Sequence, residues 1–127
     1  MTGERVLLID DEPAMHKLIK VILENEGFQL VGPEEHGKAK KEIKGRRPDL
    51  IILDIMMPEV DGFEILERLK EDQETSRIPV IVLTVRNLKE DMQRAKSLGA
   101  DLYMTKPFEP TDLLDAVRMV LDSVQSA

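Results

Sequence analysis

The chain has 127 residues, 42% hydrophobic and 34% charged, which allows one globular domain with a single core and leaves no room for two. It contains no cysteine, which excludes a disulfide framework, a thiolate metal site and a cysteine nucleophile, and fits a reducing cytoplasm. The net charge of -7 disfavours non-specific nucleic-acid binding, no apolar run is long enough to span a bilayer, and no charged-then-apolar signal segment opens the chain.

In chain order, the apolar run 5–10 ends in an acid and reads as a buried strand. Pro13 suits the first turn of a helix whose buried face carries Met15, Leu18, Ile19 and Ile22, with Gly27 at its C-terminal end. Residues 28–32 form a weaker strand pattern, and 37–46 a helix with only Ala39 and Ile43 on its apolar side. Residues 49–54 are the clearest buried strand. Asp61 and Glu64 then have the spacing of a helix cap and its third residue, before Phe63, Ile65, Leu66 and Leu69. Residues 79–84 are a β-branched strand. Asn87 and Glu90 repeat the cap spacing before a helix with Leu88, Met92, Ala95 and Leu98, which Gly99 should end. A last strand, 102–106, precedes a helix opened by Pro110, with Leu113, Leu114, Val117, Val120, Leu121 and Val124 on one side. Five strands alternating with five helices predict an α/β domain: a mostly parallel sheet with helices on both faces.

Ligands of such open sheets bind beyond the carboxyl ends of the strands. Those ends are Asp10, with Asp11 and Glu12 after it, then Asp54, Thr84 and Lys106. Clustered carboxylates repel and attract a cation, and hard oxygen donors without histidine or cysteine suit Mg²⁺. A carboxylate also acts as a nucleophile toward phosphorus, giving an aspartyl phosphate. Of the three equatorial phosphoryl oxygens, the metal could neutralise one, the Lys106 ammonium a second and the Thr84 hydroxyl a third.

Four stretches carry a family resemblance: Leu-Leu-Ile-Asp-Asp-Glu-Pro from Leu7, Leu-Asp-Ile-Met-Met-Pro-Glu-Val-Asp-Gly from Leu53, Val-Leu-Thr ending at Thr84, and Lys-Pro-Phe from Lys106. Together they resemble the CheY-like receiver domain of two-component response regulators, over roughly residues 5–123. The resemblance implies a doubly wound, flavodoxin-like five-stranded parallel sheet of order 2-1-3-4-5 with five helices. It implies that Asp54 accepts a phosphoryl group from a sensor histidine kinase or phosphotransfer protein. Asp10, Asp11 and Asp54 would hold Mg²⁺ with the backbone carbonyl of Met56, Asp11 as the direct ligand ahead of Asp10. Lys106 would grip the phosphoryl group, Thr84 would move toward it, and Tyr103 would swing inward in step. That shift would alter the surface of the fourth helix, fifth strand and fifth helix and so control an output domain or target protein. The Lys106–Pro107 peptide is expected to be cis. By this reading the domain is cytoplasmic, is not a turnover enzyme, and contacts neither nucleic acid nor membrane directly.

The rival enzyme reading is a haloacid-dehalogenase-type phosphatase. It needs an acid two residues after the nucleophile, and that position is the apolar Met56. Val85, where the family usually has Ala, Gly or Ser, is expected to narrow access to Asp54 and slow phosphoryl exchange. Leu102 and Ala116 replace an acid and an arginine of the dimer formed by many winged-helix regulators, which makes that dimer doubtful and leaves other homodimers open. The basic run of Lys38, Lys40, Lys41, Lys44, Arg46 and Arg47 reads as a solvated helix face, and His16 and His36, neither with a second ligand at metal spacing, as surface or helix residues. Neither the kinase nor the output is legible, nor is the presence of an output domain beyond residue 127.

Overall fold

The computed structural model describes residues 3–31, 47–58 and 60–126. The expected helix over 37–46, His36 and all of the basic run but Arg47 lie outside these residues. The described elements are β1 (Arg5–Ile9), α1 (Pro13–Glu24), β2 (Gln29–Val31), β3 (Leu50–Leu53), β4 (Met56–Met57), β5 (Val60–Asp61), α2 (Gly62–Glu71), β6 (Val80–Thr84), α3 (Lys89–Ser97), β7 (Leu102–Thr105) and α4 (Pro110–Ser126).

Five strands form one parallel sheet in the order β2-β1-β3-β6-β7. Numbering only these five strands along the chain gives the expected 2-1-3-4-5. Apolar residues run without alternation because both faces are covered. Val6, Leu8, Leu50, Ile52, Ile81 and Leu83 pack with Ile19, Ile22 and Leu23 of α1 and Leu113, Val117 and Leu121 of α4. Leu7, Ile9, Ile51, Leu53, Val80 and Val82 point the other way, against Phe63, Leu66 and Leu69 of α2 and Ala95 of α3. No helix among the described residues is long and apolar enough to cross a membrane.

Local signals decide most boundaries. Pro13 opens α1, and the Asp61 carboxylate caps α2 by accepting from the backbone N–H groups of Phe63 and Glu64. Gly99 adopts φ +102 just beyond α3, the left-handed conformation that favours glycine at a helix end. A Cβ at Gly62 would lie 2.3 Å from the Ile55 Cα, so only glycine fits between α2 and the chain leaving β3.

Four details differ from expectation. Leu18 is exposed and Leu23 buried, because the stripe of α1 facing the sheet centres on Ile19, Ile22 and Leu23. Val124 is likewise exposed on α4. Asn87 does not cap α3: Leu88 holds that position without a side-chain hydrogen bond, and the first-turn acids Glu90 and Asp91 supply the favourable charge. The stretch after Asp54, where the sequence shows no strand pattern, is a two-stranded antiparallel hairpin, β4 and β5.

Candidate functional site

Parallel register brings the polar strand ends to one rim. Ile9 pairs with Leu53, so Asp10 and Asp54 stand side by side one residue further on. Thr84 pairs with Thr105, which places Lys106 next, and the Lys106 backbone N–H donates to the Thr84 carbonyl at 2.8 Å. The Lys106–Pro107 peptide is cis.

Lys106 is the centre of the arrangement. Its Nζ donates to Asp10 Oδ2 at 2.8 Å and to Asp54 Oδ2 at 3.1 Å, and lies 3.6 Å from Glu12 Oε1. Its side chain is 6% exposed. Burial presses the Lys106 pKa down, but the hydrogen bonds to Asp10 and Asp54 and their charges outweigh it and hold the pKa above the ordinary lysine value. The other oxygen of each carboxylate is held by backbone: Asp10 Oδ1 accepts from the Glu12 N–H at 2.9 Å, and Asp54 Oδ1 from the Met56 N–H at 2.8 Å. Both aspartates are buried.

Asp10, Glu12 and Asp54 each offer an oxygen within 4.8 Å of the others. Hard carboxylate oxygens this close fit a divalent cation such as Mg²⁺. Asp11 and Glu12 are both exposed, and of the two only Glu12 has an oxygen within this spacing of Asp10 and Asp54. The Met56 side chain is exposed, and its backbone meets the site through the N–H to Asp54. Thr84 is fully buried, and its Oγ1 accepts from the Arg86 N–H at 3.4 Å. Val85 is 61% exposed.

Tyr103 is half-buried against the core on the α2 and α3 side, and its hydroxyl donates to the Arg86 carbonyl at 2.9 Å. Burial, together with the nearby Asp91 and Asp54 charges and against the pull of Arg86, raises the Tyr103 pKa above the ordinary tyrosine value. Arg86 gathers this side of the rim: its Nε donates to Asp91 Oδ2 at 2.7 Å and its Nη1 to Met56 Sδ at 3.3 Å.

The family model of the response regulator receiver domain matches residues 6–118. The chain belongs to the response regulator receiver family. This receiver is 39% identical over 121 residues to the phosphate regulon transcriptional regulatory protein PhoB of Pseudomonas aeruginosa, covering 95% of this chain and 53% of that protein. It is 39% identical to the DNA-binding dual master transcriptional regulator RpaA of Synechocystis, over 92% of this chain and 48% of RpaA. The receiver thus spans about half the length of the curated relatives it matches. Among solved structures, the CheY-like receiver domain protein of Methanospirillum hungatei superposes with a TM-score of 0.89 at 29% identity, covering 98% of each chain.

Sequence reasoning missed four participants in this receiver. Glu12 was legible as a third acid in Asp-Asp-Glu but not as a neighbour of Lys106. Arg86 and Asp91 pair across the turn entering α3, and five residues of separation carries no chemical signature. His16 lies on a helix, as read, but its contact with the site was not foreseen: its Nε2 lies 2.7 Å from the Asp10 carbonyl oxygen.

Proposed function

We propose that this domain is a phosphorylation switch in which Asp54 accepts a phosphoryl group from a sensor histidine kinase or a phosphotransfer protein. The observation that carries the reading is the buried Lys106 ammonium, shared between Asp54 and Asp10 at the rim of a receiver fold. A fixed cation beside a carboxylate nucleophile suits the charge that develops on a transferring phosphoryl group. A carboxylate oxygen of Asp54 attacks phosphorus, the bond from phosphorus to the donor nitrogen breaks, the donor imidazole leaves, and an acyl phosphate forms. Lys106 then pairs with one phosphoryl oxygen, and the Thr84 hydroxyl donates to another. The Asp10, Asp11 and Asp54 carboxylates and the Met56 carbonyl would hold Mg²⁺, with Glu12 beside them, and the bound ion would supply positive charge to the phosphoryl oxygens.

Phosphorylation shifts a pre-existing equilibrium between two conformations. Thr84 turns toward the phosphoryl group, and Tyr103 settles inward. Its hydroxyl already reaches the Arg86 carbonyl, which favours this coupling. The surface of α3, β7 and α4 changes with it and controls an output domain or a target protein, in keeping with the regulators about twice this chain's length that it resembles. The domain works in the cytoplasm, catalyses only its own phosphorylation and hydrolysis, and touches neither nucleic acid nor membrane itself. The winged-helix type of dimer forms no part of this reading: Ala116 is buried, and Asp101 Oδ2 accepts from the Val80 N–H at 2.8 Å and lies 3.5 Å from Lys70 Nζ.

Incubation with Mg²⁺ and acetyl phosphate should add a single phosphoryl group by intact mass, and Asp54→Asn should abolish it. Absence of labelling by small donors and by a kinase alike would sink the proposal.

A further inference from the structure

The turn from β1 into α1 carries all the acids on the first strand's side of the site, and α1 begins without a side-chain cap of its own. The turn is held through Asp10 instead. Its Oδ1 accepts from the Glu12 N–H at 2.9 Å, its Oδ2 accepts from Lys106 at 2.8 Å, and its carbonyl oxygen faces His16 Nε2 at 2.7 Å. A carbonyl only accepts, so the His16 Nε2 carries the proton and donates it. One residue earlier, the Ile9 carbonyl is taken by the Asp54 N–H at 3.0 Å. His16 sits in the second half of the first turn of α1, half-buried, with its ring reaching back over the helix start.

We propose that His16 is a positioning residue for the acidic site. Its hydrogen bond fixes the peptide plane joining Asp10 to Asp11, and that plane sets the directions in which the Asp10, Asp11 and Glu12 carboxylates leave the backbone. The inference rests on the reading of the rim as a divalent-cation site. Groups that orient metal ligands from behind are commonly worth 10- to 100-fold in metal affinity. His16 acts through a backbone carbonyl one step removed from the ligand atoms, so the lower end, about tenfold, is expected.

Two substitutions separate the donor from the shape. His16→Phe keeps a planar ring without an N–H, whereas His16→Gln keeps an amide N–H at nearly the same reach. Mg²⁺ affinity is measured for the parent and both variants by following backbone amide shifts, whose dispersion also reports folding. The expected result is about tenfold weaker binding in His16→Phe and near-parental binding in His16→Gln. Equal affinity in His16→Phe and the parent overturns the inference and leaves the receiver reading standing. A parent that binds no Mg²⁺ overturns the cation-site reading and this inference with it. Should His16→Phe fail to fold, the parent decides alone: a ring proton on Nε2 that exchanges slowly with water supports the inference, and a proton on Nδ1 alone overturns it.

Discussion

Replacing Lys106 with Met removes the one cation, among the described residues, that touches both Asp10 and Asp54. Its ammonium lies 2.8 Å from Asp10 and 3.1 Å from Asp54, with a side chain 6% exposed. Methionine fills much the same volume, so the perturbation is electrostatic. The carboxylate oxygens of Asp10, Glu12 and Asp54 lie within 4.8 Å of one another. At an effective dielectric of about 20, two unit charges at that spacing repel by roughly 3.5 kcal/mol. That agrees with the ~3–5 kcal/mol seen when one partner of a buried ion pair is removed. For a domain of this size the midpoint of thermal unfolding should fall by roughly 10–20 °C. A divalent cation bound only by the folded state stabilises by about 2.7 kcal/mol at a hundred times its dissociation constant. Without the ammonium competing for the carboxylates, the gain from Mg²⁺ should be larger in the variant than in the parent. Urea unfolding in EDTA and again in excess Mg²⁺ tests both statements. A Lys106→Met protein within about 1 kcal/mol of the parent in EDTA, with no extra gain from Mg²⁺, would refute the reasoning.

Three further outcomes rest on particular contacts. Gly62→Ala would drive a Cβ to 2.3 Å from the Ile55 Cα, where neither backbone can yield cheaply, and should cost about 3 kcal/mol in urea unfolding; a loss below about 1 kcal/mol would show that the α2 start moves freely. Val85→Ala should speed loss of the phosphoryl group while leaving stability within about 0.5 kcal/mol, because the side chain is 61% exposed; equal dephosphorylation rates would show that Val85 does not restrict access. Stability should fall as pH rises from about 10: Lys106 and Tyr103 both have folded pKa values above their ordinary 10.5 and 10.0, so the unfolded chain loses these protons first and the native state binds more. Urea midpoints that stay level across that range, or a Lys106→Met, Tyr103→Phe double variant with the parent's slope, would contradict this.

The strands were legible because buried parallel strands are unmistakable when every residue is apolar, as in Leu50–Leu53, whereas their order came from the family resemblance. The convergence of Asp10, Asp54, Thr84 and Lys106 followed from topology alone, since each stands at or just past the carboxyl end of a parallel strand. The features that stayed hidden lie one level down. The choice between Leu18 and Leu23 as the buried residue of α1 depends on the helix's rotation about its axis, which its neighbours set. The closeness of Glu12 to Asp10 and Asp54 stayed hidden because the turn after β1 fixes the direction of each side chain, and three adjacent acids look alike in one dimension. His16 and Arg86 work through backbone carbonyls, their own or another's, and such contacts leave no trace in residue type. The β4–β5 hairpin was hidden for a related reason: two-residue strands are too short to show a period.

The central claim concerns one atom group, the Asp54 carboxylate. Its most direct test is to phosphorylate the protein with phosphoramidate and Mg²⁺, reduce the acyl phosphate with borohydride, and map the modified peptide. The account predicts a single modified residue at Asp54, absent from Asp54→Asn and weaker in Lys106→Met. Modification at another residue, or undiminished labelling of Asp54→Asn, would contradict it.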